Sequence, residues 1–141
     1  MKRSSAVLAG WAPSVVFMAL LACLSHIPGD SIHVPPLPLA DKLIHFTAYA
    51  VLGFLLQARG LITNRMYKMV EASSPPRPGI LIGILHGILD EIHQLYVPLR
   101  EFSYFDMLAN VLGVLAGIYL TARFIRRIGF FGSSSGSVDK Q

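Results

Sequence analysis

The sequence predicts an all-α protein, a bundle of four transmembrane helices with both chain termini in the cytoplasm. Three observations support this fold class. Of the 141 residues, 53% are hydrophobic and only 14% are charged, a composition outside the range of ordinary soluble domains. The apolar residues are concentrated in runs, and the two longest are long enough for membrane helices. The basic residues cluster at the ends of the chain and in its middle, which predicts the orientation of the helices.

Hydropathy alone indicates the first and the last helix. The run from Ala6 to Leu24 contains no charged residue, and the run from Phe102 to Phe124 is interrupted only by Asp106 and Arg123. Both reach the roughly 20 residues that cross a bilayer core. The first run could also be a cleaved signal peptide, but it exceeds the ~7–15 apolar residues of a signal core, so we expect an uncleaved helix.

The two central runs, from Leu43 to Leu56 and from Gly79 to Val97, are weaker. Either alone could be a re-entrant segment or a buried soluble helix. Basic residues precede the first run, fill the connection between the central runs and follow the last run, and the positive-inside rule assigns all three regions to the cytoplasm. The chain must then cross the membrane twice on each side of its middle, so both central runs are predicted to span. The basic residues concerned are Lys2, Arg3, Arg59, Arg65, Lys68, Arg77, Arg123, Arg126 and Arg127.

The predicted organisation is one membrane domain, residues 6–128, between two cytoplasmic ends. Its spans are expected at about 6–27, 40–58, 79–97 and 102–125. The cytoplasmic parts are residues 1–5, the loop 59–78 and a flexible tail, 129–141, rich in Ser and Gly.

Ionisable and amide side chains occur at the same end of the second, third and fourth predicted helices. Such groups are costly in hydrocarbon, so by default they mark a functional site. At about 100° per residue, the polar residues of each helix share a face or its margin. The predicted polar site, which the loop residue Arg100 completes, consists of Asp41, Lys42, His45, Tyr49, Asp90, Glu91, His93, Gln94, Arg100, Asp106 and Asn110.

Small residues recur at four-residue intervals on the third and fourth helices. In lipid, such spacing lets helix backbones approach closely. We expect these residues to pack the helices together and direct the polar faces inward, although they could instead mediate self-association of two copies. They are Gly79, Gly83 and Gly87 in the third helix, and Ala109, Gly113 and Gly117 in the fourth.

The polar positions fall into blocks that resemble those of a known family. The blocks are Asp41-Lys42-Leu43-Ile44-His45-Phe46, Tyr49, Leu52-Gly53, Asp90-Glu91-Ile92-His93-Gln94, Val97-Pro98, Arg100, Asp106, Ala109-Asn110 and Leu112-Gly113. In this order they resemble the VanZ-like membrane proteins. One departure is Leu99, where a smaller residue or glycine is usual. The resemblance implies a location in the bacterial cytoplasmic (inner) membrane and a role at its outer face. The family's name comes from a protein associated with resistance to teicoplanin, which suggests a link to glycopeptide resistance.

Two functions are consistent with these residues. In the first, the polar site binds or acts on a lipid or polymer headgroup of the cell envelope, with Arg100 contacting phosphate or carboxylate. In the second, the same residues form an interhelical network that fixes the bundle, and the protein is an accessory subunit of a larger membrane complex. Asp106 and Arg100 are then the expected ion pair. No catalytic motif decides whether the protein is an enzyme.

Metal and nucleic-acid binding are not predicted. His86, Asp90 and His93 share a helical face, but three residues on one helix do not form a converging ligand set. We interpret His86 as a hydrogen-bonding group between helices and His93 as facing interfacial water. The net charge of +4 comes from residues beside apolar runs, not from a basic face interleaved with aromatic residues. The sequence leaves any cofactor unknown; the expected partners are membrane lipids, a larger membrane complex or a second copy.

Overall fold

The computed structural model describes residues 3–31, 39–63 and 77–134, with side chains over 9–31, 39–59 and 78–127. Over these residues the chain forms four α-helices, one short 3₁₀ turn and no strand. Helix α1 is Arg3–Ser25 and the 3₁₀ turn is Gly29–Ser31. Helix α2 is Ala40–Thr63, α3 is Arg77–Gln94 and α4 is Tyr104–Ser134. The all-α prediction is confirmed, with one helix at each predicted span.

The helix ends differ from the predicted boundaries for local reasons. The third helix ends at Gln94, three residues early, because the amides of Leu95, Tyr96 and Val97 bond to carbonyls three residues back and form a tighter turn. Pro98 follows, and the residue before a proline avoids helical geometry. The fourth helix begins at Tyr104 and continues to Ser134, into the segment predicted to be a flexible tail. The rest of that tail, and most of the predicted loop 59–78, lie outside the described residues.

Of the described helices, one is both long enough and apolar enough to cross a membrane by these criteria alone. It is Tyr104–Arg127, and a shorter apolar helix covers Ala9–Ser25. Helices α2 and α3 are long enough, since even the 18 residues of α3 extend about 27 Å. They carry the charged side chains of the polar site, which lower their hydropathy.

The centre of the bundle is the contact between α2 and α4, the most extensive of the fold. Leu52 and Leu56 of α2 pack with Val114 and Ile118 of α4, and Leu21 of α1 completes this core. Helix α3 lies against both α2 and α4. Many large apolar side chains on all four helices point outward instead, among them Leu20, Phe54, Leu81 and Leu120.

Glycines allow α2 and α4 to lie in backbone contact. A β-carbon on Gly113 or Gly117 would overlap a backbone carbonyl of α2, that of Phe46 or of Ala50. Gly53 of α2 meets Val114 of α4 in the same way. The predicted packing role of the α4 glycines therefore operates within one chain, where α2 covers the face considered for self-association.

The glycines of α3 make looser contacts. Gly83 faces the side chains of Val114 and Leu56, and Gly87 faces those of Asn110 and Tyr49. The remaining two members of the predicted small-residue set, Gly79 and Ala109, are buried. Because Gly83 and Gly87 have no side chains, large groups of α2 and α4 can project toward α3 at these positions. They include some of the polar groups described next.

Candidate functional site

The first turns of α2 and α4 and the last turn of α3 meet at one end of the bundle, here called the polar end. Helix α1 also finishes there, and its following turn contacts the α3–α4 connection: the Gly29 amide donates to the Pro98 carbonyl over 3.1 Å. The predicted polar residues of three helices are thus brought to a common level. Most of them lie within hydrogen-bonding distance of another polar group.

Glu91 of α3 is the centre of the polar end, and its side chain is 0% exposed. Gln94 donates from Nε2 to Oε1 over 3.1 Å, and the backbone amide of Ser103 donates to Oε2 over 3.3 Å. His45 Nδ1 lies 3.5 Å from Oε1. Both oxygens of this buried carboxyl group therefore accept a hydrogen bond, which offsets part of the cost of its burial.

Asn110 of α4 sets the hydrogen-bonding state of His45. The Asn110 Nδ2 donates to the Gly87 carbonyl over 3.1 Å, so its Oδ1 is the atom that faces His45 Nδ1 at 3.0 Å. Because Oδ1 can only accept, Nδ1 must carry the hydrogen. The other ring nitrogen of His45, Nε2, is then an acceptor in the neutral imidazole. Nε2 is therefore the ring atom that can accept a hydrogen bond from a bound group.

Lys42 forms an ion pair with its neighbour on α2, Asp41, and a second one that joins α2 to α4, with Asp106. Its Nζ lies 2.6 Å from Asp41 Oδ2 and 2.8 Å from Asp106 Oδ1. The expected pair of Asp106 with Arg100 is wrong, because Lys42 reaches Asp106 from the facing turn of α2. Arg100 instead donates from Nε to the carbonyl of Ile27 over 3.2 Å.

Ser103 belongs to the polar end although it is not among the residues of the predicted polar site. Its Oγ accepts the backbone amide of Asp106 over 3.2 Å, which makes it the N-cap of α4. The same residue donates its own amide to Glu91. A signal is present in the sequence: a serine three residues before an acidic residue at the start of an apolar run is a capping pattern.

A second polar group lies deeper in the bundle. Tyr49 and His86 share a hydrogen bond of 3.1 Å between the phenol oxygen and Nδ1, and His86 Nε2 donates to the Met18 carbonyl over 3.2 Å. The prediction that His86 bonds between helices is confirmed. Asp90, one turn further along α3, is buried.

His93 is separate from the other predicted site residues. Its Nε2 lies 3.1 Å from Nδ1 of His26, and the two rings are stacked with centroids 5.3 Å apart. The pair joins the end of α1 to the end of α3. His93, which was expected to face interfacial water, therefore has a structural contact, and neither cavity described below includes it.

Among the described residues, a larger and a smaller cavity open at the polar end. The larger, of about 620 Å³, is lined by polar groups that include Lys42, His45, Arg100 and Asp106. The smaller, of about 300 Å³, lies mainly between α1 and α2 and has an apolar wall that includes Leu21 and Ala48. Both volumes are within the range of roughly 300–1,000 Å³ found for small-molecule sites. The predicted residues that line one or both cavities are Asp41, Lys42, His45, Tyr49, Asp90, Gln94, Arg100 and Asp106.

His45, Glu91 and Asp106 are also the types of residue that bind metal ions. One ligand atom from each lies within 4.8 Å of the others. However, the Lys42 ammonium already pairs with Asp106, and hydrogen-bond donors meet both oxygens of Glu91. The contacts therefore describe a network of hydrogen bonds and ion pairs, in which Lys42 already supplies a positive charge beside Asp106.

Comparison with known proteins identifies one family. The model of the VanZ/LLP1 family matches residues 5–126, most of the chain. The matched range contains α2, α3, all of α1 but its first two residues, α4 except its last turns, and every residue of the polar end. Searches of the curated proteins and of the solved structures gave no match.

Proposed function

The chain belongs to the VanZ/LLP1 family, and from this membership and the polar end we propose a multi-pass membrane protein that binds an anionic headgroup of the cell envelope. The bound group is part of a lipid or polymer at the outer leaflet. The observation that carries the proposal is the cavity of about 620 Å³ with Arg100 and His45 in its wall.

Membrane insertion is supported by what the helices expose. Leu81, Leu89, Leu120 and Phe124 are among the many large apolar side chains more than half exposed, and extensive exposed apolar surface is a mark of contact with membrane or with another protein. The proposed topology has four spans and cytoplasmic termini, following the distribution of basic residues. The polar end then faces outward, at the level of lipid headgroups.

Arg100 is the proposed anion-binding residue. Lys42 contributes less to binding, because Asp41 and Asp106 already neutralise it. The Arg100 bond from Nε to Ile27 holds the side chain in place, and a guanidinium has further N–H groups for phosphate or carboxylate. His45 could exchange a proton with the bound group through Nε2, so the site is suited to act on a headgroup as well as to hold it.

Glycopeptide resistance is a consequence that this site could have. A protein that occupies envelope headgroups at the outer leaflet would change how a glycopeptide reaches its target. This part of the proposal rests on the family resemblance, and the susceptibility of cells to teicoplanin with and without the gene tests it directly.

The test of binding compares Arg100→Gln with Arg123→Gln, a matched change at an exposed position on the opposite end of α4. Each protein is purified in a neutral detergent and titrated with phosphatidylglycerol or phosphatidylcholine, and bound lipid is counted by native mass spectrometry. We expect wild type to prefer phosphatidylglycerol. Loss of a charge-assisted hydrogen bond should weaken that preference about tenfold in Arg100→Gln. The Arg123→Gln protein should keep it.

Equal binding of both lipids by wild type, or an equal loss in both variants, would contradict the proposal. Melting temperatures are measured alongside. If Arg100→Gln lowers the melting temperature by several degrees and leaves lipid preference unchanged, Arg100 serves the fold and not a ligand.

An accessory subunit is the second candidate function. It is favoured by one observation: bonds among Lys42, His45, Glu91, Asp106 and Asn110 tie α2, α3 and α4 together. In an accessory subunit the exposed apolar faces would contact other subunits. Native electrophoresis of gently solubilised membranes would show the chain in a larger assembly, and Glu91→Gln would reduce its abundance without any effect on lipid binding per molecule.

A further inference from the structure

The two cavities of the polar end share a wall. Asp41, His45, Gln94 and Arg100 line both the polar cavity and the apolar cavity. A ligand that fills one cavity therefore contacts residues that also line the other cavity. One cavity is polar and the adjoining one is apolar. An amphiphilic molecule, whose polar group is joined to a hydrocarbon chain, has the same arrangement.

The apolar cavity lies on the side of the bundle where α1 and α2 meet. Leu21 and Leu24 line it from α1, and Ile44 and Ala48 line it from α2. Leu24 and Ile44 are 49% and 52% exposed, so the wall continues onto the outer surface of the bundle. In the proposed topology this surface faces the acyl chains of the bilayer.

Ser25 supplies an independent observation. It is 6% exposed, it lines the apolar cavity, and its hydroxyl makes no hydrogen bond within the described part of the chain. A buried hydroxyl without a partner is uncommon, because it loses its bonds to water. Ser25 is the last residue of α1, and it lines the same cavity as Arg100.

We propose that the apolar cavity holds an acyl chain of an anionic diacyl phospholipid whose headgroup occupies the polar cavity. Arg100 lies at the boundary and contacts the phosphate, and Ser25 donates to an ester oxygen. The lipid enters sideways between α1 and α2, with no need to leave the outer leaflet. This inference rests on the proposed function and adds the class of ligand.

The test uses two probes of the same headgroup: phosphatidylglycerol and its deacylated, water-soluble form, glycerophosphoglycerol. Ala48→Phe fills the apolar cavity, and Ala19→Phe, at an exposed position on α1, is the control. Ala48→Phe should bind phosphatidylglycerol about tenfold more weakly, because several methylene groups lose their apolar contact. Its affinity for glycerophosphoglycerol should change less than about twofold, since the polar cavity is intact. Ala19→Phe should behave as wild type with both probes.

Three results would overturn the inference in distinguishable ways. If Ala48→Phe binds both probes as wild type does, the cavity holds no chain, although the headgroup site stands. The same conclusion follows if Ala48→Phe weakens the two probes equally. If wild type binds neither probe, the proposed function itself fails.

A labelling experiment on the wild-type protein tests the proposal even if Ala48→Phe does not fold. Phosphatidylglycerol with a diazirine on its acyl chain is photolysed in vesicles that contain the protein, and the labelled peptides are mapped. We expect adducts concentrated on Leu21, Leu24, Ile44 and Ala48, and reduced by Ser25→Ala. Adducts spread evenly over exposed residues of all four helices would show general lipid contact and contradict the proposal.

Discussion

Leu99 adopts a backbone conformation that favours glycine. Its φ is 59°, in the left-handed region where a β-carbon crowds the following carbonyl. The residue lies in the connection between α3 and α4, where its carbonyl faces Gly29 so closely that a β-carbon on Gly29 would overlap it. Leu99, at which the sequence analysis expects a departure from the resemblance, is thus at a position of backbone strain.

Replacement of Leu99 by glycine should stabilise the protein. Relief of the left-handed strain, roughly 1–2 kcal/mol, exceeds the extra entropy that glycine loses on folding, roughly 0.5–1 kcal/mol. The side chain is 74% exposed, so little packing is lost. We expect a gain of about 0.5–1 kcal/mol, seen as a slightly higher melting temperature in detergent.

The matched control is Leu85→Gly, at an exposed position inside α3. The same change there should cost about 1 kcal/mol, because glycine is a poor helix former. A lower melting temperature for Leu99→Gly would show that the leucine side chain makes contacts that outweigh the strain.

The glycines of α3 and α4 differ in what lies against them. Gly113 and Gly117 of α4 lie directly against the backbone of α2, which cannot move without displacing the whole helix. Gly83 of α3 meets only side-chain atoms, those of Val114 and Leu56. Identical substitutions on the two helices should therefore differ in cost.

Gly117→Ala should destabilise the bundle by about 2–3 kcal/mol, the upper part of the roughly 1–3 kcal/mol typical of core overpacking, because the overlap is with backbone. Gly83→Ala should cost less, about 1 kcal/mol, since only side-chain methyl groups of Val114 and Leu56 would have to shift and alanine favours the helix. Chemical or thermal unfolding of both variants in the same detergent makes the comparison. Equal losses would mean that α2 and α4 are not in backbone contact.

At the scale of the whole molecule, the direction in which the polar end faces decides its ligand. An outward polar end meets outer-leaflet headgroups, whereas an inward one meets cytoplasmic lipid and solutes. The bundle geometry is identical in both cases, so orientation depends on the basic residues alone.

Reporter fusions test this orientation. Alkaline phosphatase, active only outside the cytoplasm, and green fluorescent protein are fused in turn after Ser31, Lys68 and Ser134. We expect phosphatase activity only after Ser31, and fluorescence only after Lys68 and Ser134, because basic residues flank both of these sites. Phosphatase activity after Lys68 would invert the topology and place the polar end in the cytoplasm.

The sequence by itself determined the helices, the family and most residues of the polar end. Hydropathy runs and charge at their flanks are local properties, and the 3.6-residue period assigns each polar side chain to a face of its own helix. For this reason helical periodicity and helix direction suffice to place Asp41, His45, Glu91 and Asn110 at one end of the bundle. The N-cap pattern at Ser103 is equally local, since it needs only the residues that follow it in the chain.

Only the tertiary structure decided which of these groups touch. The pairing of Asp106 with Lys42, the contact of His93 with His26 and the use of Gly53 against α4 all depend on how far each helix is rotated and where the axes cross. Those quantities are set by the packing of Leu52, Leu56, Val114 and Ile118 across three dimensions. Helical periodicity carries no information about the neighbouring helix, so the two adjoining cavities could not be read from the chain.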